Sequence, residues 1–247
     1  MGRPTKPSRR EFLGTCGAGA MLACQALPLN AAATAPRLAF ARVALVDGSG
    51  APLRPAALEP GREYLFYYPF RSTPCFLLDL GEALAGGLAL KTEDGQSYNW
   101  SGGVGPSRSI VAFSAICAHK LTYPSPVVSF IGYRGEPVGF VNRENEVERR
   151  AGVIQCCSEH SIYDPRRGAE VLAGPSPQPL AAIALSYEDD RLHVDGVYGG
   201  AVFERFFAAF SDRLRLEHRG DGFAEAVTGT ATVLPAEQFT RNRIRCG

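Results

Sequence analysis

Two short cysteine–histidine motifs constrain this chain more than any other feature of its sequence. The first reads Cys117-Ala118-His119 and the second reads Cys157-Ser158-Glu159-His160. Each motif pairs one thiolate with one imidazole, and both side chains are common ligands of transition metals. Because each motif mixes the two ligand types, the pattern favours a centre with two cysteines on one metal ion and two histidines on another. The sequence therefore predicts Cys117, His119, Cys157 and His160 as cofactor and metal ligands.

The residues that follow the second motif strengthen this interpretation. The chain continues Ser161-Ile162-Tyr163-Asp164-Pro165 and later reads Gly174-Pro175-Ser176-Pro177. With both motifs in this order, roughly residues 110–195 resemble the Rieske iron–sulfur protein family. The resemblance implies a Rieske-type 2Fe–2S cluster with both cysteines on the inner iron, both histidines on the outer iron, and the Gly-Pro loop covering the cluster.

The resemblance is incomplete around the second motif. High-potential members of the family join the two motifs by a disulfide, whose cysteines would fall at Thr122 and Glu159, and neither is a cysteine here. Family members place a glycine and then a serine after the second histidine, whereas Ser161 follows His160 directly, so one residue is missing. By the resemblance, Ser161 and Tyr163 would donate hydrogen bonds to sulfur atoms of the cluster, and a role in the turn and the core is the alternative.

Composition and local patterns predict a mostly β domain. The chain has 27 glycines and 18 prolines, and apolar runs such as 63–70 and 75–80 are typical of strands. Residues 202–216 carry aromatic and leucine side chains near helical spacing, which predicts one amphipathic helix. The charged stretch 143–150 predicts a solvated turn or a short helix. With the resemblance, the expected fold is all-β: a Rieske-type antiparallel β-sandwich base, an inserted cluster-binding subdomain at about 112–178, and one helix in the C-terminal half.

Residues 1–35 are predicted to be an export signal and not part of the fold. Ser8-Arg9-Arg10-Glu11-Phe12-Leu13 matches the twin-arginine pattern, and an uncharged, weakly apolar stretch follows it. The twin-arginine route carries folded proteins, which suits a protein that receives its cluster before export. We expect residues 36–247 to be a Rieske-type domain in the periplasm, with a retained N-terminal membrane anchor as the alternative.

The chain has seven cysteines. Cys16 and Cys24 lie in the predicted signal, and two more are the predicted ligands. Cys75, Cys156 and Cys246 remain, which is an odd number for an oxidising compartment. A Cys75–Cys246 disulfide is favoured because Cys156 adjoins a predicted ligand, and three buried free thiols are the alternative.

These observations predict an electron-transfer protein, the small subunit or redox partner of an oxidoreductase rather than an enzyme on its own. By the resemblance, its partner would be a cytochrome, a molybdenum enzyme subunit or a cytochrome bc complex. The small subunit of arsenite oxidase is an example of a protein with a molybdenum partner. A Rieske subunit of a quinol-oxidising cytochrome bc complex is one alternative. A zinc-stabilised β binding domain is another, because zinc also binds two cysteines and two histidines. The net charge of +1 indicates no nucleic-acid partner, and membrane contact is expected only if the N-terminal segment is retained.

Overall fold

Short strands make up most of the protein. The computed structural model describes Gly2, residues 37–199 and residues 201–246. Apart from Gly2, the predicted signal at 1–35 lies outside these residues. The described residues from 37 onward belong to one compact unit. The prediction of an all-β fold with one substantial helix in the C-terminal half is confirmed.

The strands and helices follow one another at short intervals. The strands are β1 (Leu38–Val46), β2 (Glu63–Tyr67), β3 (Pro74–Asp79), β4 (Leu88–Lys91), β5 (Ser97–Trp100), β6 (Ile110–Ser114), β7 (Val128–Ser129), β8 (Ile131–Arg134), β9 (Val138–Val141), β10 (Val147–Arg150), β11 (Val153–Cys156), β12 (Ser161–Asp164), β13 (Glu170–Ala173), β14 (Ala182–Glu188), β15 (Arg191–Tyr198), β16 (Thr230–Thr232), β17 (Leu234–Pro235) and β18 (Asn242–Arg243). The α-helices are α1 (Val202–Glu217) and α2 (Ala236–Phe239).

Eight strands form the base of the fold, in the order β16-β1-β15-β14-β6-β3-β2-β17. Neighbouring strands are antiparallel except β1 and β16, which run parallel. The two edge strands, β16 and β17, are separated in sequence only by Val233, so one segment of chain forms both edges of the sheet, paired with β1 on one side and with β2 on the other. The base is therefore a single, nearly closed sheet, which leaves little edge open to other chains.

The central strands of this sheet are buried on both faces. In β3, Cys75 and Leu77 belong to one hydrophobic cluster, whereas Phe76 and Leu78 belong to another. Successive side chains point to opposite faces of a strand, so both faces must be covered. Double burial explains why these strands are continuous apolar runs instead of alternating patterns.

Helix α1 covers the first of these two clusters. Its buried residues include Phe203, Phe206 and Leu214, and the ring of Tyr123 packs edge-on against Phe206 with 4.9 Å between the ring centroids. The amphipathic helix predicted from the aromatic spacing is therefore confirmed. No helix in the described part of the chain is long and apolar enough to cross a membrane.

A four-stranded antiparallel sheet covers the second cluster, in the order β13-β12-β11-β8. Its side chains Ile131, Ile154 and Tyr163 pack in the same cluster as Phe76. Strands β11 and β12 pair so that Cys156 lies opposite Ser161, and the four residues between them form the turn that carries the second motif. All four strands lie within the predicted subdomain at 112–178, whose exact bounds remain a prediction.

The charged stretch 143–150 forms half of a hairpin. A turn is present where one was predicted, since the side-chain oxygen of Asn142 accepts hydrogen bonds from the backbone N–H groups of Glu144 and Glu146. Residues 147–150 are strand β10, paired with β9, so the alternative of a short helix is wrong. Pairing with the neighbouring strand β9 across the turn overrides the charge pattern of the stretch.

Candidate metal centre

The first motif forms a tight loop shortly after β6. The backbone N–H of Cys117 donates to the carbonyl of Thr122 at 2.8 Å, and the N–H of Leu121 donates to the carbonyl of Cys117 at 2.9 Å. This loop wraps around the sulfur of Cys117, which accepts hydrogen bonds from the backbone N–H groups of His119 and Lys120. Cys117 is buried. The loop thus supplies a buried sulfur that is already surrounded by hydrogen-bond donors.

The thiol that faces Cys117 belongs to Cys156, the last residue of β11. Its sulfur accepts hydrogen bonds from the backbone N–H groups of Ser158 and Glu159. In both loops the donors lie two and three residues after the cysteine, so the two sulfur atoms have matching surroundings. The two thiols interact, because Cys156 lowers the pKa of Cys117 and Cys117 raises the pKa of Cys156, and the hydroxyl of Tyr163 lies 3.2 Å from Cys117 Sγ. The structure therefore brings Cys117 and Cys156 together at the base of two loops.

The surroundings of this pair favour negative charge on Cys117. The hydrogen bond from the Cys156 thiol lowers the pKa of Cys117 to about 6, with help from Tyr163 and the backbone N–H groups, although burial acts in the opposite direction. The same hydrogen bond raises the pKa of Cys156, and burial adds to this effect. Burial, followed by the charge of Cys117, raises the pKa of Tyr163. The surroundings thus favour the charged form of Cys117 and the neutral forms of Cys156 and Tyr163.

The sequence predicted Cys157 as a ligand together with Cys117, but the sulfur of Cys157 does not lie beside that of Cys117. It forms a disulfide with Cys246, with 5.5 Å between the two Cα atoms. A sulfur in a disulfide is not a thiolate, which is the form of cysteine that binds metals. The predicted Cys75–Cys246 disulfide is also wrong, because Cys75 is a buried free thiol that donates to the carbonyl of Tyr68 at 3.0 Å.

Strand alternation explains why the two adjacent cysteines separate. In β11, Ile154 and Cys156 pack in the cluster beneath the small sheet. Gln155 points to the other side, where it accepts a hydrogen bond from Arg134 at 3.1 Å. Cys157 continues this alternation, so its sulfur lies on the side of Gln155. Adjacent residues of a strand cannot share one face, and a register shift of one residue would exchange the two cysteines.

The two predicted histidines differ in their surroundings. His119 is half-buried, and its Nδ1 is buried without a hydrogen-bond partner among the described residues. His160 is exposed and has a φ of +58°. The exposed carboxylate of Glu159 lies 3.5 Å from the Nζ of Lys120, which is a weak contact between the two loops. The site thus has one half-buried imidazole and one at the surface.

Taking Cys156 as the second cysteine accounts for the residue that is missing from the second motif. In the family pattern the serine lies five residues after the ligand cysteine, and Ser161 lies five residues after Cys156. Glu159 then takes the place of the histidine and His160 the place of the glycine, which agrees with the left-handed φ of His160. The difference from the family pattern therefore concerns the residue at the position of the second histidine and not the length of the loop.

Two residues of β12 complete the surroundings of the thiol pair. Tyr163 contacts the sulfur of Cys117, the kind of hydrogen bond that the family resemblance implied. Ser161 is fully buried, and its Oγ has no hydrogen-bond partner among the described residues. The Gly-Pro loop lies directly against this strand, because a Cβ on Gly174 would be 2.6 Å from the Cα of Ser161 and from the carbonyl oxygen of His160. Only glycine fits there without displacing the second motif.

The side chains of the two motifs converge only in part. Within residues 37–199 and 201–246, no group of three or more His, Cys, Asp or Glu side chains is placed to hold a metal ion. The thiols of Cys117 and Cys156 meet, and His119 follows Cys117 by two residues, but His160 stays at the surface. A cavity of about 670 Å³ that is lined by Tyr67 and His218 among others contains no residue of either motif.

The comparison with solved structures shows a likeness of fold. No protein-family model matches the chain. The fold is similar to the crystal structure of the soluble domain of the Rieske protein II (soxF) from Sulfolobus acidocaldarius. The two sequences are 23% identical, the match covers 66% of this chain and 82% of that chain, and the TM-score is 0.40. A likeness at this level does not decide which group the site binds, so its cofactor must be inferred from its own side chains.

Proposed function

We propose that this protein is an exported electron-transfer protein that holds a Rieske-type 2Fe–2S cluster on Cys117, Cys156, His119 and His160. This set keeps three of the four ligands predicted from the sequence and replaces Cys157 by its neighbour Cys156. The replacement follows from the disulfide of Cys157 and from the inward position of Cys156.

The buried thiol pair is the observation that carries this proposal. A Rieske-type cluster needs two cysteines on one iron, and Cys117 and Cys156 lie in the same buried cluster, where each shifts the pKa of the other. Backbone N–H donors at both sulfur atoms and the Tyr163 hydroxyl would stabilise thiolate charge there. Buried polar atoms rarely lack a partner, and a cluster at this place would offer one to His119 Nδ1 and to Ser161 Oγ.

The fourth ligand distinguishes this chain from the family pattern. Split ligation requires a second imidazole on the outer iron, and His160 is the one that the second loop supplies. Glu159 competes with it because it takes the place of the histidine in the loop. A carboxylate ligand would add negative charge and disfavour reduction, whereas a neutral imidazole would not.

We expect His160→Ala to lower the amount of bound iron strongly and Glu159→Gln to leave it close to the wild-type amount. Loss of one ligand weakens metal binding by at least the ~10–100-fold that loss of a supporting contact costs. Iron and acid-labile sulfide per chain, with the visible spectrum, measure the difference. The opposite ranking of the two variants would assign the fourth ligand to Glu159.

The residues of the site divide into a buried half and a surface half. When bound, a Rieske-type cluster takes up and releases one electron at potentials of about −150 to +300 mV. Hydrogen bonds to Cys117 and Cys156 disperse the negative charge of the sulfur atoms and thereby favour the reduced state. The carboxylate of Glu159 acts in the opposite direction, and Lys120 at 3.5 Å partly offsets it. Because His160 is exposed and the thiols are buried, we infer that a redox partner approaches from the histidine side.

Export to the periplasm is part of the proposal. The twin-arginine pattern at Ser8-Arg9-Arg10-Glu11-Phe12-Leu13 supports it, and the Cys157–Cys246 disulfide suits an oxidising compartment. The proposed partner is a redox protein such as a cytochrome or a molybdenum enzyme subunit. A place in a cytochrome bc complex is the alternative, and it requires that the N-terminal segment be retained as an anchor.

Metal and sulfide analysis of the full-length protein tests the proposed cofactor. We expect anaerobically purified protein to contain iron and acid-labile sulfide in equal amounts and to give a low-g EPR signal after reduction with dithionite. Zinc without iron or sulfide would contradict the proposal and support a zinc-stabilised β domain, since two cysteines and two histidines also suit zinc. Protein that binds neither metal after reconstitution with iron and sulfide would contradict both functions.

A further inference from the structure

The end of the chain lies along the loop that leads into the small sheet. We call residues 241–246 the C-terminal strap. Backbone N–H groups of the strap donate to backbone carbonyls of the segment 126–129: Arg241 to Pro126 at 3.1 Å, Asn242 to Val127 at 3.2 Å, and Ile244 to Ser129 at 2.9 Å. Strand β18 in the strap pairs in parallel with β7. The strap is therefore an ordered part of the fold.

A buried ion pair anchors the middle of the strap. Arg243 Nη2 lies 2.7 Å from Glu63 Oε2, and the Glu63 side chain is only 4% exposed. The same oxygen of Glu63 accepts the backbone N–H of Tyr133 at 2.7 Å. Since Glu63 lies in β2 and Tyr133 in β8, this one carboxylate connects the base, the small sheet and the strap.

Arg134 connects the strap to the second motif. Its Nη2 donates to the carbonyl of Ile244 at 2.7 Å and lies 3.5 Å from Cys157 Sγ, and its Nε donates to Gln155 at 3.1 Å. The backbone N–H of Cys246 also points at Cys157 Sγ, at 3.1 Å. These contacts, together with the disulfide, hold the side of β11 that faces away from the thiol pair.

We propose that the C-terminal strap is a positioning element: by holding Cys157 on the outer side of β11, it turns Cys156 toward Cys117. Strand alternation makes the two orientations dependent on each other, because adjacent side chains point to opposite sides. The ligand role of Cys156 rests on the proposed function, but its position does not.

A positioning element is needed because the two loops lack a cross-linking disulfide. The positions at which the family pattern would place a cross-linking disulfide are Thr122 and Glu159. The direct side-chain contact at these positions is that of Glu159 with Lys120, and both side chains are about half exposed. Exposed ion pairs of this kind contribute little. The strap therefore supplies from outside the loops the constraint that the loops do not supply to each other.

Thiol labelling of the metal-free protein tests the positioning role. In the Cys157→Ser/Cys246→Ser double variant the disulfide is absent, and Cys156 is then labelled without interference from its neighbour. We expect iodoacetamide to modify Cys156 about tenfold faster in this variant than in the wild type, because local opening exposes it. Cys75 is fully buried in the base, and its sulfur donates to the carbonyl of Tyr68 and not to the strap, so its slow labelling is the internal control.

Two results would overturn the proposal. Equal labelling rates of Cys156 in the variant and the wild type would show that the strap does not position it. A parallel increase at Cys75 would show general unfolding and no local effect. If the double variant does not fold, folded wild-type protein treated with tris(2-carboxyethyl)phosphine to open the disulfide replaces it, with the same expected ratio and the same control.

Reconstitution with iron and sulfide tests the positioning role of the strap separately from the identity of the proposed cofactor. If both hold, the double variant binds less iron and sulfide than the wild type while its near-UV circular dichroism stays native. If the protein holds zinc, the labelling ratio is still expected to rise, because it is measured without metal. Faster labelling of Cys156 without any loss of bound metal would contradict the claim that metal binding depends on the orientation of Cys156 toward Cys117.

Discussion

Cys156→Ser is expected to lose nearly all bound iron and sulfide, whereas the Cys157→Ser/Cys246→Ser double variant retains a readily measured part of both. Serine is a poor substitute for a thiolate on iron, and Cys156 is the thiol that meets Cys117 in the buried pair. We expect less than about a tenth of the wild-type cluster in Cys156→Ser. Iron, sulfide and the visible spectrum of reconstituted full-length protein measure the loading.

The two variants are a matched comparison because they change adjacent residues in the same way. The double variant removes the disulfide and loosens the strap, but both proposed ligand thiols remain. A third variant, Cys75→Ser, changes a buried cysteine outside the site and controls for the general effect of serine in the core. If the double variant lost the cluster and Cys156→Ser kept it, the second ligand would be Cys157 and the disulfide would not persist in the loaded protein.

Arg243→Ala is expected to lower the free energy of unfolding by about 3–5 kcal/mol, because it leaves the carboxylate of Glu63 buried without its cation. The pair has 2.7 Å between nitrogen and oxygen, and the Glu63 side chain is 4% exposed. Urea unfolding followed by circular dichroism measures the loss. The exposed pair Arg42–Glu188 has the same 2.7 Å distance, with side chains 48% and 59% exposed. We expect Arg42→Ala to change the free energy of unfolding far less, because solvent screens a pair whose two side chains are exposed.

A second substitution shows whether the loss comes from the unpaired charge. The Arg243→Ala/Glu63→Gln variant removes the carboxylate that Arg243→Ala leaves without Arg243, so we expect it to be more stable than Arg243→Ala alone. Equal losses for Arg243→Ala and Arg42→Ala would contradict the assignment of Glu63 and Arg243 as a buried pair.

The stability of Arg243→Ala should also depend on pH. Burial raises the pKa of Glu63, and the charge of Arg243 opposes this effect, so removing Arg243 raises the pKa further. A carboxyl group whose pKa is higher in the folded state binds more protons there than in the unfolded state, and stability then falls as pH rises between the two pKa values. The loss in Arg243→Ala is therefore largest at neutral pH and becomes smaller toward acid pH. The Arg243→Ala/Glu63→Gln variant lacks this dependence.

Local patterns in the sequence were sufficient for much of the fold. The aromatic spacing of residues 202–216 predicted α1 because the residues that face the sheet recur at the period of a helix. Apolar runs at 63–70 and 75–80 predicted the buried strands β2 and β3, although β2 ends at Tyr67. The closure of the sheet was not predictable, because it depends on one segment pairing with two strands that are far apart in sequence.

Part of the candidate site could also be predicted from the sequence. Cys117 and His119 belong to a single short loop, so their spacing identifies them together, and the Ser-x-Tyr pattern placed Tyr163 near a cysteine sulfur, where the structure has it. The serine spacing also pointed to Cys156, the second cysteine of the proposed ligand set, since Ser161 lies five residues beyond it. That signal was outweighed by the match of Cys157 and His160 to the expected motif.

The sequence by itself determined the kinds of side chain, the strand-rich fold and the order of the two loops, because these depend on composition and on periods of a few residues. Only the tertiary structure decided which of two adjacent cysteines faces Cys117. That choice depends on the register of β11 against β8 and β12, and on a disulfide to Cys246, 89 residues away. A shift of one residue in register reverses every side chain of a strand, and register is set by pairing between segments that are distant in the chain.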